Sequence, residues 1–351
     1  MSKAASSKTP RVIFGLAMVV GLFWVARREG PQPRLTEITG QTMGTVPYSI
    51  KAISTDQLDI KWGVDSLLTE FNKSLSTYIA DSEISRFNRN DTLAFESSLF
   101  LPVLQASRDV VDATDGAFDP TVGPLVNAWG FGPEGVTYQP DSMEVDSLRA
   151  FVNFGKIQFN SQFVTKRPNM YLDFSAIAKG YAVDLVAIYL ESLEVDRYMV
   201  EIGGEVRTRG TNMQEELWRL GIEDPLVAKN ERKLLAIVNM DNRSLATSGN
   251  YRNYYEKDGQ TFAHIIDPRT GYNNFNSILS ASVFSPECML ADAYATAFMV
   301  MGVDKSIALI ERDPKLEAIL VYRDGDDVKT YQSTGIRRYV TMDRTAEPTE
   351  Q

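Results

Sequence analysis

Cysteine and histidine are almost absent from this 351-residue sequence, which holds one of each, Cys288 and His264. A single cysteine excludes an internal disulfide. The same scarcity excludes an ordinary structural zinc site, which takes four Cys or His ligands. Any metal ion bound here is therefore expected to be a hard, oxygen-bound ion such as Mg²⁺ or Ca²⁺.

Positive charge is also scarce. The 36 lysines and arginines are outnumbered by 46 aspartates and glutamates, and the formal net charge is −10. Because an acidic surface repels the phosphate backbone, we predict no nucleic-acid partner. Hydrophobic residues make up 44% of the chain, which suffices for the full core of one large domain or two ordinary ones.

One apolar run, residues 12–26, stands near the N-terminus between basic residues, with Arg27-Arg28 at its end. It suits the core of a signal peptide and is short for a bilayer span. Residues 24–26 are a poor cleavage site, and no cysteine follows that could carry a lipid. The pattern favours an uncleaved membrane anchor, while a cleaved signal peptide is the alternative.

This interpretation divides the chain into two parts. Residues 1–30 are expected to form the anchor and its linker, and residues 31–345 the globular domain. The domain is expected to be exported, on the periplasmic side of the inner membrane.

Apolar spacing predicts four helices, at about 58–75, 99–113, 175–193 and 289–301. Strand-like runs lie at 198–202, 234–238, 261–266, 278–284 and 318–322. Because helices and strands do not alternate regularly, a doubly wound parallel sheet is not indicated. We expect an α+β fold with a largely antiparallel sheet core and packed helices.

The last of these helices carries an aspartate and a threonine four residues apart, Asp292 and Thr296. They share one helix face, where carboxylate and hydroxyl oxygens can bind one hard cation. The alanines around them keep that surface low, so a ligand can approach the backbone. The alternative is a small-residue helix packed closely against a neighbour.

The segment DFSAIAKGY at 173–181 reads as a strand that runs into a helix capped at Ser175. Free N–H groups at a helix start attract phosphates, and Lys179 lies one turn further on. Asp173 precedes the turn and can bind a polar ligand or orient a metal. A plain N-cap followed by a surface lysine explains the pattern equally well.

His264 ends a predicted strand just before the turn sequence of residues 267–271. A histidine is the natural general base near neutral pH. A purely structural role is the alternative. The loop at 115–124, rich in glycine and proline, is a plausible ligand-binding loop, whereas the glycines at 130, 132 and 135 lack the strand and helix of a dinucleotide motif.

Together these segments resemble the ApbE family of FAD:protein FMN transferases. The matching motifs, in family order, are MGT at 43–45, LSTY at 75–78, DGAFDPTVGP at 115–124, DFSAIAKGY at 173–181, Gly203-Gly204, HIIDP at 264–268 and ADAYATA at 291–297. One departure from the family pattern is Glu205, which follows the two glycines where a shorter polar residue is common.

The resemblance implies a binding site for FAD and Mg²⁺. The residues expected to line the FAD pocket are Met43, Tyr78, Ala117, Phe118, Asp119, Asp173, Lys179, His264, Ile265 and Ile266. Mg²⁺ is expected on Asp292, Thr296 and the backbone carbonyl of Ala176, against the diphosphate of FAD.

The resemblance also implies the reaction and its partners. The chain is expected to transfer FMN from FAD to a threonine or serine of an acceptor protein, with Lys179 and His264 as catalytic groups. The usual acceptors are redox-pump subunits and other exported flavoproteins. A Mg²⁺-dependent FAD pyrophosphatase and a non-catalytic flavin-binding assembly factor are the alternatives.

Overall fold

The structure, a computed structural model, describes residues 32–132, 140–227, 233–249, 254–257, 260–263, 265–273 and 276–343. The predicted anchor falls outside these ranges. Within them, no helix combines the length and the apolar character that a membrane crossing requires.

Eight α-helices occur in the described ranges. They are α1 Lys61–Leu75, α2 Glu83–Arg89, α3 Phe100–Ala113, α4 Gly123–Ala128, α5 Ser142–Arg149, α6 Ala178–Ser192, α7 Cys288–Met301 and α8 Val303–Arg312. Short 3₁₀ turns lie at Pro120–Val122, Phe154–Lys156 and Arg337–Tyr339.

Sixteen strands are found in the same ranges. They are β1 Arg34–Thr42, β2 Val46–Ser54, β3 Thr92–Ala94, β4 Gln158–Phe159, β5 Phe163–Thr165, β6 Arg197–Ile202, β7 Glu205–Arg209, β8 Trp218–Glu223, β9 Leu234–Met240, β10 Ser244–Gly249, β11 Tyr254–Lys257, β12 Gln260–Ala263, β13 Ile278–Ser285, β14 Glu317–Asp324, β15 Asp327–Gln332 and β16 Val340–Met342.

An eight-stranded sheet organises the molecule, in the order β1-β2-β6-β7-β10-β13-β14-β15. Every neighbouring pair in it is antiparallel. Smaller antiparallel sheets have the orders β16-β9-β8, β3-β5-β4 and β11-β12. The mixed fold with antiparallel sheets agrees with the α+β prediction.

Both faces of the large sheet are covered. Side chains alternate between the faces of a strand, so the neighbours Met199 and Val200 on β6 enter different cores. Val200 packs with the core that α1, α3, α6 and α7 share, whereas Met199 packs with Trp218 and Val238 from the small sheet. The sheet thus lies between a helical layer and a three-stranded layer.

Helices α6 and α7 come together at their N-terminal ends. A Cβ added at Gly180 would lie 2.2 Å from the carbonyl oxygen of Cys288, so the two backbones are in direct contact. Asp184, one turn further along α6, accepts the backbone N–H of Cys288 at 3.0 Å and that of Met289 at 2.8 Å. The α7 N-cap residue makes no side-chain cap. Asp184 therefore caps α7 from the neighbouring helix.

Arg207 on β7 completes this junction. Its Nη1 lies 2.7 Å from Asp184 Oδ1, and the Asp184 side chain is almost fully buried. A buried carboxylate needs such a partner, because an unpaired buried charge is very costly.

Substitution of Asp184 by alanine is expected to lower the free energy of unfolding by about 3 kcal/mol, because it removes two charge-assisted hydrogen bonds and leaves Arg207 with less compensation. Urea denaturation measures the change. The matched control is Glu287→Ala at the exposed N-cap position, expected within about 0.5 kcal/mol of the wild-type chain. Equal stability of the two variants would contradict the proposed cap.

Candidate functional site

Two hairpin turns and the start of α6 meet at one end of the large sheet. Residues 43–45 join β1 to β2, and Gly203 and Gly204 join β6 to β7. The Gly203 N–H donates to the Pro47 carbonyl at 2.9 Å. A Cβ at Gly203 would lie 2.8 Å from Val46 and 3.4 Å from Lys179 Cδ. The first turn, the second turn and the lysine thus share one location.

The second turn requires its two glycines. Both have positive φ, +63° at Gly203 and +101° at Gly204, a region that other residues rarely adopt. The turn places Glu205 at the first position of β7, paired with Ile202. Glu205 is thereby carried into the interior beside Lys179.

Lys179 lies between two buried carboxylates. Its Nζ hydrogen-bonds Glu205 Oε1 and lies 3.9 Å from Asp292 Oδ1. The Glu205 and Asp292 side chains are only 4% and 5% exposed. Desolvation lowers the pKa of Lys179, but the charges of Asp292 and Glu205 outweigh it and hold the pKa above its ordinary value. Burial raises the pKa of Glu205 to about 7, although Lys179 opposes this rise.

Asp292 is held in place by α6. Its Oδ2 accepts the backbone N–H of Gly180 at 3.0 Å. In a regular helix that N–H would donate to the carbonyl of Ala176, four residues earlier. Among the described residues, the Ala176 carbonyl receives no backbone hydrogen bond. The interaction therefore anchors Asp292 and leaves a carbonyl oxygen unpaired in the turn before α6.

The residues predicted to bind a metal offer a carboxylate at Asp292, a hydroxyl at Thr296 and a carbonyl at Ala176, which are the oxygen types that hard cations bind. Thr296 lies one turn beyond Asp292, and its Oγ1 is 3.2 Å from Ser248 Oγ. Within the described ranges, no group of three or more His, Cys, Asp or Glu side chains is arranged to hold a metal ion. One carboxylate, one hydroxyl and one carbonyl are a sparse set, which suits an ion that keeps water or ligand oxygens in its shell.

The predicted cap at Ser175 is wrong. Helix α6 begins at Ala178, and its N-cap residue Ile177 makes no side-chain cap. Asp173 Oδ1 instead accepts the Ser175 N–H at 2.8 Å and folds this segment into a turn before the helix. Burial raises the pKa of Asp173, which these hydrogen bonds from Ser175 partly offset.

The loop at 115–124 is fixed by Asp119, whose carboxylate points into the protein. Asp119 Oδ1 accepts from the Thr121 N–H at 2.8 Å and the Thr121 hydroxyl at 2.6 Å, and Oδ2 accepts the Phe154 N–H at 2.9 Å. Ala117 and Phe118 are buried. The Asp119 side chain thus shapes the loop rather than facing outward. A ligand bound at this loop would therefore contact mainly the backbone of the loop.

Hydrogen bonds tie this loop to the segment before α6. The Asp173 N–H donates to the Pro120 carbonyl at 2.8 Å. Asn88, near the C-terminal end of α2, exchanges two hydrogen bonds with the backbone of Leu172. Its Oδ1 accepts the Leu172 N–H at 2.7 Å, and its Nδ2 donates to the Leu172 carbonyl at 2.9 Å. The 115–124 loop, helix α2 and the segment before α6, which are far apart in sequence, are therefore joined in space.

Tyr78 and Met43 occupy turns at the surface. The Tyr78 side chain is 73% exposed, which excludes core packing as the explanation of this aromatic residue. Met43 has a φ of +47° in the first hairpin turn and packs partly against the main core. The Tyr78 ring is therefore open to a planar ligand, and no contact connects it with Lys179 in the described part of the chain.

His264 lies outside the described residues. Ile265 and Ile266, which follow it, are buried, and Ile266 packs with Leu125 and Trp129. The turn predicted at 267–271 is present, with the Gly271 N–H bonded to the Asp267 carbonyl at 2.8 Å.

From the sequence alone, no role was assigned to three residues that build the site, Gly180, Asp184 and Glu205. Asp184 is a lone acid within an otherwise apolar stretch of α6, and this isolation was a usable signal of a buried polar role. Gly180 in the middle of a helical pattern was a second signal, since glycine weakens a helix unless close packing requires it.

The chain belongs to the ApbE family, whose model matches residues 43–320. Its sequence is 38% identical over 335 residues to the FAD:protein FMN transferase of Vibrio cholerae serotype O1 (strain ATCC 39541 / Classical Ogawa 395 / O395), covering 93% of this chain and 98% of that relative. It is 34% identical over 348 residues to the FAD:protein FMN transferase of Escherichia coli strain K12, covering 93% and 97% of the two chains.

Solved structures agree with this assignment. The flavin transferase ApbE from Vibrio cholerae superposes with a TM-score of 0.80 at 37% identity and covers 88% of this chain and 99% of its own. The apo form of the Pseudomonas stutzeri flavinyl transferase ApbE gives a TM-score of 0.79 at 34% identity, with 88% and 97% covered.

Substitution of Gly180 by alanine is expected to reduce the free energy of unfolding by about 2 kcal/mol, because the new methyl group meets backbone atoms that cannot turn aside. The matched control is Gly63→Ala in α1, whose Cβ meets only the movable end of the Tyr189 side chain. Thermal unfolding of both variants measures the difference. A Gly180 variant as stable as the Gly63 variant would show that the two backbones can separate freely.

Proposed function

We propose that this chain is an FAD:protein FMN transferase, which cleaves FAD, joins FMN through a phosphoester bond to a threonine or serine of an acceptor protein and releases AMP. The observation that carries the proposal is the family match, which extends over residues 43–320 and is accompanied by relatives of that name over more than nine-tenths of the chain. The junction of α6 and α7 supports the proposal, because it brings Lys179 and Asp292 close together.

The proposed Mg²⁺ ligands are Asp292, Thr296 and the carbonyl of Ala176. The support for them is the oxygen chemistry at this junction, where Asp292 is anchored by Gly180 and the Ala176 carbonyl lacks a backbone donor among the described residues. When bound, the ion would supply positive charge to the phosphate oxygens of FAD.

The proposed FAD pocket extends from the sheet end to the neighbouring loops. The exposed Tyr78 ring and the Met43 turn are suited to the flat flavin ring. The loop at 117–119 and Asp173 would offer polar backbone and carboxylate groups. Residues 264–266 would complete the pocket, with Ile265 and Ile266 as its buried support.

In the proposed reaction, the hydroxyl oxygen of the acceptor attacks the phosphorus on the FMN side of the diphosphate. The bond from that phosphorus to the bridging oxygen breaks, and AMP leaves with the bridging oxygen. His264 takes the proton of the attacking hydroxyl, and general-base help of this kind is worth roughly 10²–10⁴ in rate. Lys179 offsets the negative charge that develops on the phosphate oxygens.

The proposed acceptor is a redox-pump subunit or another exported flavoprotein. Residues 1–30 would anchor the enzyme on the periplasmic side of the inner membrane, where such acceptors are found. The support is the charge-flanked apolar run at 12–26 in the sequence.

Mass spectrometry of the acceptor tests the reaction. The full chain in detergent is incubated with FAD, Mg²⁺ and an acceptor domain that carries a flavinylation threonine. We expect the acceptor mass to increase by one phosphoester-linked FMN, and an acceptor with that threonine changed to alanine to remain unmodified. Release of free FMN and AMP without modification would instead identify a pyrophosphatase, and intact bound FAD would identify a binding protein.

Substitution of Asp292 by alanine is expected to lower the transfer rate by about 10²-fold or more, because a fixed charge at the reacting phosphate is lost. Rates measured over a range of Mg²⁺ concentrations, with and without chelator, give the result. The control is Asp304→Ala at an exposed position in the first turn of α8, which should leave the rate unchanged. A chelator-resistant rate equal to that of the wild-type chain would contradict the metal role.

A further inference from the structure

Glu205 is the residue of the charged cluster that the family resemblance leaves without a role. It is almost fully buried, and its Oε2 has no hydrogen-bond partner among the described residues. Its other oxygen holds Lys179 Nζ. A buried ion pair of this kind adds little to stability compared with well-packed apolar residues. A role at the site explains this burial better than a contribution to folding does.

The geometry gives Lys179 two possible carboxylate partners. Its Nζ is in direct contact with Glu205, whereas Asp292 Oδ1 is 3.9 Å away and beyond hydrogen-bond distance. The lysine stem runs along Gly203, and Glu205 Oε2 lies 3.5 Å from the position of a Cβ at the same glycine. The β6–β7 turn therefore contacts both the Lys179 stem and its partner Glu205, and it fixes their positions.

Within the described ranges, only one oxygen of the Asp292 carboxylate accepts a hydrogen bond. Its Oδ2 is occupied by the Gly180 N–H, and no hydrogen bond to its Oδ1 is found within the described ranges. If Lys179 moved toward Asp292, its ammonium would occupy the side of the carboxylate that a cation needs. A lysine and a divalent ion compete for such an oxygen, because both are held by the same negative charge.

We propose that Glu205 is a positioning residue, which holds the Lys179 ammonium away from Asp292 Oδ1 and so keeps that oxygen open to Mg²⁺. The proposal rests on the transferase function proposed above, since it takes the same Asp292 site. Glu205 would act on the site through its contact with Lys179, and it would touch neither FAD nor the reacting phosphorus.

The test uses Mg²⁺-dependent FAD binding by the full chain, followed by flavin fluorescence anisotropy, so that it does not depend on transfer. Glu205→Ala is expected to raise the apparent Mg²⁺ dissociation constant by about tenfold, equivalent to about 1.4 kcal/mol. Glu205→Gln keeps one oxygen acceptor for Lys179 and is expected to give a smaller rise. The matched control is Glu83→Gln, another buried glutamate, which binds the backbone of Glu96 and Ser97 far along the chain from this site.

The decisive variant is the double substitution Glu205→Ala with Lys179→Met. Without Lys179 no ammonium competes with Mg²⁺ for Asp292. The apparent Mg²⁺ dissociation constant of the double variant is therefore expected to match that of Lys179→Met alone. A double variant as weak as Glu205→Ala, or a Glu205→Ala variant with wild-type Mg²⁺ dependence, would overturn the proposal. Should Glu205→Ala fail to fold by circular dichroism, Glu205→Gln decides, and wild-type Mg²⁺ dependence in it overturns the proposal.

Failure of the transferase function is a separate result. Loss of FMN transfer with Mg²⁺-dependent FAD binding intact would refute only the transferase assignment, and the Glu205 measurements would still be valid. Absence of any Mg²⁺ effect on FAD binding by the wild-type chain would refute the metal site and the role of Glu205 together.

Discussion

The backbone contact between α6 and α7 is the constraint on which the rest of the site depends. Only a residue without a side chain fits at Gly180, since a Cβ would lie 2.2 Å from the Cys288 carbonyl oxygen. The close approach lets one helix supply hydrogen-bond partners for the other. Gly180 binds the carboxylate of Asp292, and Asp184 binds the first N–H groups of α7. The two helices thus hold each other's polar groups, and the position of Asp292 follows from the packing.

The hairpin turns place one end of the large sheet beside Lys179 in α6. Glycines 203 and 204 allow a tight turn that reaches Lys179, and the strand that follows begins with Glu205. The sheet therefore contributes a negative charge on one side of the lysine, and α7 contributes another at a greater distance. Because these groups lie on regular elements rather than on long loops, their spacing is set by the fold itself.

Patterns in the sequence were sufficient for the antiparallel α+β architecture and for the helices at 99–113 and 289–301, because apolar periodicity reports directly on burial. Spacing along one helix also placed Asp292 and Thr296 on a common face. It could not reveal that Gly180 takes Asp292 as a partner, because that bond joins residues 112 positions apart. The wrong cap at Ser175 has a local cause, because Asp173 accepts the Ser175 N–H and folds residues 173–175 into a turn before the helix begins at Ala178.

The outward-facing ring of Tyr78 has a thermodynamic consequence. A side chain that is 73% exposed leaves apolar surface in contact with water in the free protein. A flat ligand laid on that ring removes water from both surfaces, so its association carries a negative change in heat capacity. The enthalpy of such binding then becomes more favourable on warming, a calorimetric signature that separates a ring covered by its ligand from one that stays wet.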